Sequence, residues 1–287
     1  MISNIAGVVV LYNPEEDIID NVSTYYNSLQ KLYVVDNSEV PSEKVLQELS
    51  KNFPHTEYHH LANNQGIAKA LNIAASRAIE EGFDWLLTMD QDSQASEDMI
   101  PKLLEVSANI PKEQVGIIAP RYILETDSLD AEQSNLQEVD VAITSGNLLN
   151  LCAFKEVGPF REDFFIDYVD HEYCLRLKLS NYKIVINNKV LLYHKLGDSK
   201  SHSFLGYQVN ASHHNFLRRY YITRNRLAVL KEFKIQFPQY YRNESTNNLR
   251  EFIKIILFEK NKVKKIKSVY KGYLDFRRNK FGKYRHN

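Results

Sequence analysis

Asp90 and Asp92 close the run Asp84-Trp85-Leu86-Leu87-Thr88-Met89-Asp90-Gln91-Asp92-Ser93, in which an apolar, strand-like stretch delivers two carboxylates one residue apart and then turns polar. If the strand runs on through Asp92, alternation puts both acids on one face. Like charges held that close call for a positive partner. A hard divalent cation suits oxygen ligands, and when few carboxylates hold it, water and substrate phosphate complete its shell. The pair therefore reads as a metal–diphosphate site for Mn2+ or Mg2+. Taken alone, it equally fits a solvated strand end.

A second acidic knot lies in Phe164-Phe165-Ile166-Asp167-Tyr168-Val169-Asp170-His171-Glu172-Tyr173-Cys174-Leu175-Arg176-Leu177. Apolar residues precede it, and Tyr173, Cys174 and Leu177 continue at helical spacing. Acids in a first helical turn favour the helix dipole, which accounts for part of the knot. The catalytic reading makes one of them a general base, because a hydroxyl is a poor nucleophile until a positioned carboxylate takes its proton. Arg176 is placed to be a structural partner of Glu172.

These acids need elements to hold them. Residues 6–12 form a β-branched run ended by Asn13-Pro14, and residues 32–36 form a second run ending in an acid and turn formers. Residues 15–31 suit a helix between them. After Gly66, the positions Ile67, Ala70, Leu71, Ala74, Ala75 and Ala78 make a helical stripe that Gly82 ends. A helix over 97–108, a strand over 114–120, a polar loop over 125–138 and a strand-like run over 139–151 follow. Strands buried on both faces and alternating with helices predict an α/β fold with a mostly parallel sheet. In such sheets ligands bind at the carboxyl ends of strands, where Asp36 and Asp90 both fall.

Of the 287 residues, 44% are hydrophobic and 25% charged, as in ordinary folded domains. The net charge of zero hides an asymmetry: residues 1–217 carry 16 Lys and Arg against 31 Asp and Glu, and residues 218–287 carry 20 against 5. This divides the chain into an acidic body, 1–215, and a basic, aromatic, helical extension, 216–287. Nucleic acid is a poor partner for a basic tail fused to so acidic a body. Two cysteines without metal spacing, no signal-peptide pattern and no run near ~18 apolar residues give the expectation of a cytoplasmic protein. The mixed apolar and basic stretch 252–267 suits an anionic membrane surface on the inner leaflet, a solvated tail or a homodimer contact.

In chain order, Val-Val-Leu-Tyr-Asn-Pro (9–14), Val-Val-Asp-Asn-Ser (34–38), Asn-Asn-Gln-Gly-Ile-Ala (63–68), the Asp90 segment, Ser-Gly-Asn (145–147) and Phe-Ile-Asp-Tyr-Val-Asp-His-Glu-Tyr-Cys-Leu-Arg (165–176) resemble glycosyltransferase family 2. The Met-Asp-Gln-Asp-Ser and Ile-Asp-Tyr-Val-Asp forms look like its bacterial rhamnosyltransferase branch. The resemblance covers roughly residues 5–230. It implies a GT-A fold, a Rossmann-like sheet flanked by helices, and inverting transfer from a nucleotide-diphosphate sugar to a glycan or lipid-linked glycan in surface polysaccharide synthesis. dTDP-L-rhamnose is the donor it points to. A UDP-sugar donor, or a carbohydrate-binding relative without turnover, are the alternatives.

By the same resemblance Asp36 contacts the nucleotide base, Asp92 with Asp90 holds the metal, and His194 lies near metal or diphosphate. Asp170 matches the base. Val169 stands where many relatives have an acid, which keeps Asp167 as the second choice. Arg224 would contact the diphosphate through its charged fork. Asn64 and Gly66 would offer a helix N-terminus to an anion. Ser145 and Gly146 would let backbone approach the sugar, or would form a bulged strand.

Overall fold

The computed structural model describes residues 4–124, 135–194, 199–204, 207–212 and 214–285. It divides into two compact units, Met1–Glu162 with Asp170–Lys195 and Asp163–Val169 with Leu196–Asn287.

The first unit runs β1 (Ile5–Leu11), α1 (Ile18–Tyr26), β2 (Lys31–Asp36), α2 (Glu43–Asn52), β3 (Thr56–His60), α3 (Ile67–Glu80), β4 (Trp85–Asp90), β5 (Ser93–Ala95), α4 (Met99–Asn109), β6 (Val115–Leu124), β7 (Leu136–Val139), β8 (Asn147–Asn150), α5 (Leu151–Val157), α6 (Val169–Leu179) and β9 (Lys183–His194). One sheet has the order β3-β2-β1-β4-β8-β6-β9-β5, with β7 also paired to β9. Its β3-β2-β1-β4 half is parallel, as the alternating strands and helices predict. Beyond β4 the sheet turns mixed: β8 runs antiparallel to both β4 and β6, while β6 and β9 are parallel. Consequently β1, β2, β4, β6 and β9 all end on the same edge.

The local reasons are legible. The β-branched residues Val8, Val9, Val34 and Val35 are buried on both faces, where a flanked sheet favours them. Ser42 caps α2 by accepting from the Val45 amide. Asn150 ends β8 and starts α5: its Oδ1 accepts from the Cys152 and Ala153 amides, and its Nδ2 donates to the Lys112 and Val115 carbonyls. The run 139–151, expected as strand throughout, is therefore two short strands and a helix start around a loop. Within 125–138, β7 occupies the end, and 125–134 lies outside the described residues. Pro120, which has no amide to donate, marks a register shift between β6 and β9. On its other side β9 pairs first with β7 and then, past that irregularity, with β5.

The second unit contains the antiparallel hairpin β10 (Ser199–Phe204) and β11 (Tyr207–Ser212), then α7 (Phe216–Phe233), α8 (Pro238–Phe258) and α9 (Lys262–Arg277). Gly272 lets α9 lie against α7: a Cβ there would meet the Tyr220 carbonyl oxygen at 2.6 Å. Inside, Glu259 accepts from Arg219 and from Lys265, both at 2.5 Å, and all three residues are buried. Burial, with Arg218, Arg219 and Lys265 nearby, pushes the His214 imidazole down to about 4. Among the described residues, no helix is long and apolar enough to cross a membrane.

Candidate active site

β4 carries Asp90 to the carboxyl edge and stops there; Gln91 and Asp92 form a turn that leads into β5. The expectation that one continuing strand holds both acids on one face is corrected accordingly. Their shared location is the end of β4, because the chain must leave that strand to pair with β9. Gln91 is the clamp. Its Oε1 accepts from the Tyr12 amide at 2.8 Å and its Nε2 donates to the Tyr12 carbonyl, so a side chain imitates a strand partner at the end of β1. Buried Asn21 on α1 donates to the Gln91 carbonyl and accepts from Gln94. Sequence reasoning passed over Gln91 and Asn21; the amide sandwiched between two acids was the available signal.

Ser145 and Gly146 lock the other side of this strand end. The Asp90 amide donates to Ser145 Oγ at 3.0 Å, and that hydroxyl donates to Ser93 Oγ. The Gly146 amide donates to the Thr88 carbonyl at 2.7 Å. Gly146 sits at φ +80°, and a Cβ there would meet the Pro120 ring at 2.7 Å. Its glycine is thus required by packing and backbone conformation within the fold, in a turn that precedes β8 rather than in a bulged strand. Gly146→Ala is expected to lower stability by about 2–4 kcal/mol, summing left-handed strain and overpacking. Urea denaturation checks this, and a loss below about 0.5 kcal/mol would mean that the β8 approach is loosely held.

Asp36, at the end of β2, is buried. Its Oδ1 accepts from the Ser38 amide at 2.8 Å and its Oδ2 from the Tyr58 hydroxyl at 2.9 Å. Asn37 reaches the loop before α3, donating to the Gly66 carbonyl and accepting from the Gln65 amide. Ser38 Oγ accepts from the Asn13 amide. The Asp36-Asn37-Ser38 turn thereby ties the ends of β1, β2 and β3 to residues 63–66. That loop is tightly wound, with Asn63, Asn64 and Gly66 all at positive φ and the Gly66 amide donating to Asn64 Oδ1. Gly66, at φ 90° and ψ 161°, occupies a conformation open to glycine alone.

Asp170 opens α6, half-buried, with its Oδ1 accepting from the His171 amide. It lines a small cavity of about 10 Å³ with Thr88, Thr144, Asn147 and Cys174, room for about one water. Thr88 is two residues from Asp90 on β4, so the fold gathers the base candidate and the acidic strand end in one neighbourhood. Cys174 is buried, its Sγ directed at the Ala142 carbonyl, and burial pushes its thiol up to about 12. Glu172 is committed to Arg176 through a bidentate pair at 2.8 and 2.9 Å, as the helical spacing predicts. Arg176 also donates to the Val157 and Pro159 carbonyls, fixing the end of α5.

Asp167 belongs to the second unit. Phe165, Asp167 and Tyr168 all have positive φ, a strained run for such side chains. Buried Asn225 holds it by donating to the carbonyls of Phe164, Ile166 and Asp167, each at 2.9 Å. Arg218 Nε donates to Asp167 Oδ1 at 3.0 Å. Arg224 is fully buried in that unit, its guanidinium donating to the Gly282 and Phe164 carbonyls and lying over the Tyr221 ring. The expected diphosphate contact for Arg224 is corrected: its fork is spent on the chain's own carbonyls, which a buried guanidinium must find.

For the metal, the donors fit in part. Asp90 and Asp92 supply hard oxygens at one strand end, but among the described residues no group of three or more His, Cys, Asp or Glu is gathered to hold an ion. A cation there would depend on water and substrate phosphate, which is how Mg2+ is usually held. The His194 backbone pairs with Ser93 through β9 and β5; its side chain lies outside the described residues.

Residues 8–155 match the family model described as Glycosyl transferase family 2. The chain is 30% identical over 298 residues, 96% of each sequence, to the dTDP-rhamnosyl transferase RfbF of Shigella flexneri. In fold it is similar to S. aureus TarS 1–349 in complex with UDP-GlcNAc, with a TM-score of 0.64, 15% identity and coverage of 95% of this chain and 80% of that one. It is also similar to GalNAc-T7 with UDP, GalNAc and Mn2+, at a TM-score of 0.63 and 11% identity, covering 83% of this chain but spanning only 49% of that one. At these identities the structural likeness is one of fold, the GT-A architecture.

Proposed function

Because the chain belongs to glycosyl transferase family 2, we propose that it moves a sugar from a nucleotide-diphosphate donor to a glycan hydroxyl with inversion. The observation that carries this reading is that Asp36, Asp90 and Asp92 lie at the carboxyl ends of neighbouring parallel strands, where open α/β sheets take their ligands, with Asp170 on a cavity shared with Thr88 of β4. The donor is dTDP-L-rhamnose, supported by the resemblance to RfbF across almost the whole chain. The acceptor is a lipid-linked oligosaccharide in surface polysaccharide synthesis, which requires work at a membrane surface.

In this reading the Asp36 turn and the 63–66 loop form the nucleoside end of the site. Gln91 and Ser145 fix the end of β4 where the diphosphate lies. The acceptor oxygen attacks the anomeric carbon, the bond to the diphosphate breaks, and Asp170 takes the hydroxyl proton as the new bond forms. Asp167 is the poorer candidate because Arg218 already engages it. Asp90 and Asp92 would hold Mn2+ or Mg2+, which when bound offsets charge on the leaving diphosphate. A single displacement needs no covalent intermediate on the protein, so Cys174, held as a buried thiol, has no part.

Ligand-observed NMR with a panel of nucleotide sugars, with and without Mn2+ or Mg2+, tests the reading in wild type and Asp92→Asn. The expected result is metal-dependent binding of dTDP-rhamnose, weakened at least tenfold in the variant, the loss of about one charged contact. Preference for a UDP-sugar would discard rhamnose and keep the class. Absence of donor binding under every condition would overturn the transferase reading.

A further inference from the structure

Glu259 is the sole acid in the stretch 252–267, Phe-Ile-Lys-Ile-Ile-Leu-Phe-Glu-Lys-Asn-Lys-Val-Lys-Lys-Ile-Lys. It lies at the corner where α8 ends and α9 begins, and it is turned inward against Arg219 and Lys265. With that carboxylate buried, the outer side of the corner presents cations and aliphatics, with the polar but uncharged Asn261 at the bend. Ile253 is 46% exposed, Leu257 49% and Val263 67%, with Ile256 and Ile266 also open to solvent. Lys260, Lys262, Lys264 and Lys267 are exposed among them. Asn261, in the left-handed conformation, makes the bend that places one helix end directly after the other.

We infer that this corner is a docking surface for an anionic lipid bilayer. Two properties select that partner. Exposed aliphatics are costly in water and suit the acyl boundary, while interspersed lysines suit anionic headgroups. The charge is of one sign because the one acid of this stretch is consumed inside, where it draws in Lys265, while Lys260, Lys262, Lys264 and Lys267 face out. A soluble acidic protein would match the charge, but four or five protruding aliphatics interleaved with flexible lysines present no pocketed anchor of the kind protein interfaces use. The inference rests on the proposed lipid-linked acceptor for its purpose alone, and the geometry is independent of it.

Sedimentation of the full chain with vesicles tests it without donor, acceptor or catalysis, so its failure is separable from failure of the transferase reading. Vesicles containing 30% phosphatidylserine or phosphatidylglycerol in phosphatidylcholine should bind the chain, and pure phosphatidylcholine should not. Replacing Lys260, Lys264 and Lys267 together by Gln should weaken binding about a hundredfold, since each surface lysine adds about fivefold, or about 1 kcal/mol. Ile256→Asp with Leu257→Asp, both at exposed positions, should abolish binding while circular dichroism stays unchanged. Binding that ignores the apolar variant, or that is absent on anionic vesicles, would overturn the proposal. So would a homodimer in solution that the same apolar variant dissociates, because a second copy would then be what covers the corner.

Discussion

Asp170→Asn is expected to lower the turnover of sugar transfer by about 10²–10⁴-fold, the contribution of a positioned general base, while donor affinity stays within about twofold. The expectation follows from elimination among neighbouring acids. Glu172 is held by Nε and Nη2 of Arg176, and Asp167 by Arg218. Among the described residues no ion pair engages Asp170, which receives the His171 amide and faces the cavity shared with Thr88. Asparagine keeps the shape and that amide contact but cannot take a proton. Asp167→Asn serves as the comparison. It should cost stability in the strained 165–168 run while leaving turnover within about tenfold. Stopped assays at saturating donor, together with isothermal titration of the donor, separate the two effects. Full transfer by Asp170→Asn would remove that residue from the base role and hand it to Asp167.

Glu259→Gln is expected to be the most damaging single substitution in the helical extension, with a loss of about 3–5 kcal/mol. The reason is what it leaves behind. Arg219 and Lys265 are both buried against this carboxylate, and its removal strands two like charges out of water. Arg219 retains Glu251 at 3.2 Å, which shields part of the cost. Lys265 keeps no second ion-pair partner among the described residues. A buried ion cluster is weak evidence of net stability, so the triple replacement Arg219→Met, Glu259→Met, Lys265→Met should recover most of the loss. Denaturant unfolding of the three proteins tests the argument. A loss under about 1 kcal/mol for Glu259→Gln would show that water reaches the cluster, and the inward turn of Glu259 would no longer account for the all-cationic corner outside.

Gln91 and Arg224 mark what could be read in this chain and what could not. Periodicity alone placed β1, β2, β4 and α3 and put Asp36 and Asp90 at strand ends, because a strand buried on both faces needs a continuous β-branched run and a helix needs its stripe. The pairing of Glu172 with Arg176 was likewise local, four residues along one helix. The parallel half of the sheet followed from the alternation of strands and helices. What the sequence could not specify was anything fixed by residues far apart. The antiparallel insertion of β8 between β4 and β6 depends on pairings 59 to 65 residues apart with β4 and 30 to 32 apart with β6. The turn at Gln91 depends on an amide finding Tyr12, 79 positions away. The family resemblance made Arg224 an expected anion ligand, and resemblance carries a residue's charge but not its burial; only the folded unit shows the Phe164 and Gly282 carbonyls that occupy it. Glu259 is the same lesson with the opposite sign: composition shows one acid among lysines, but only packing decides that it faces inward. Local propensity and hydrophobic period determined the elements and the acids they carry, while desolvation and long-range hydrogen bonds, which exist only once the chain has closed on itself, decided which charges remain open to chemistry.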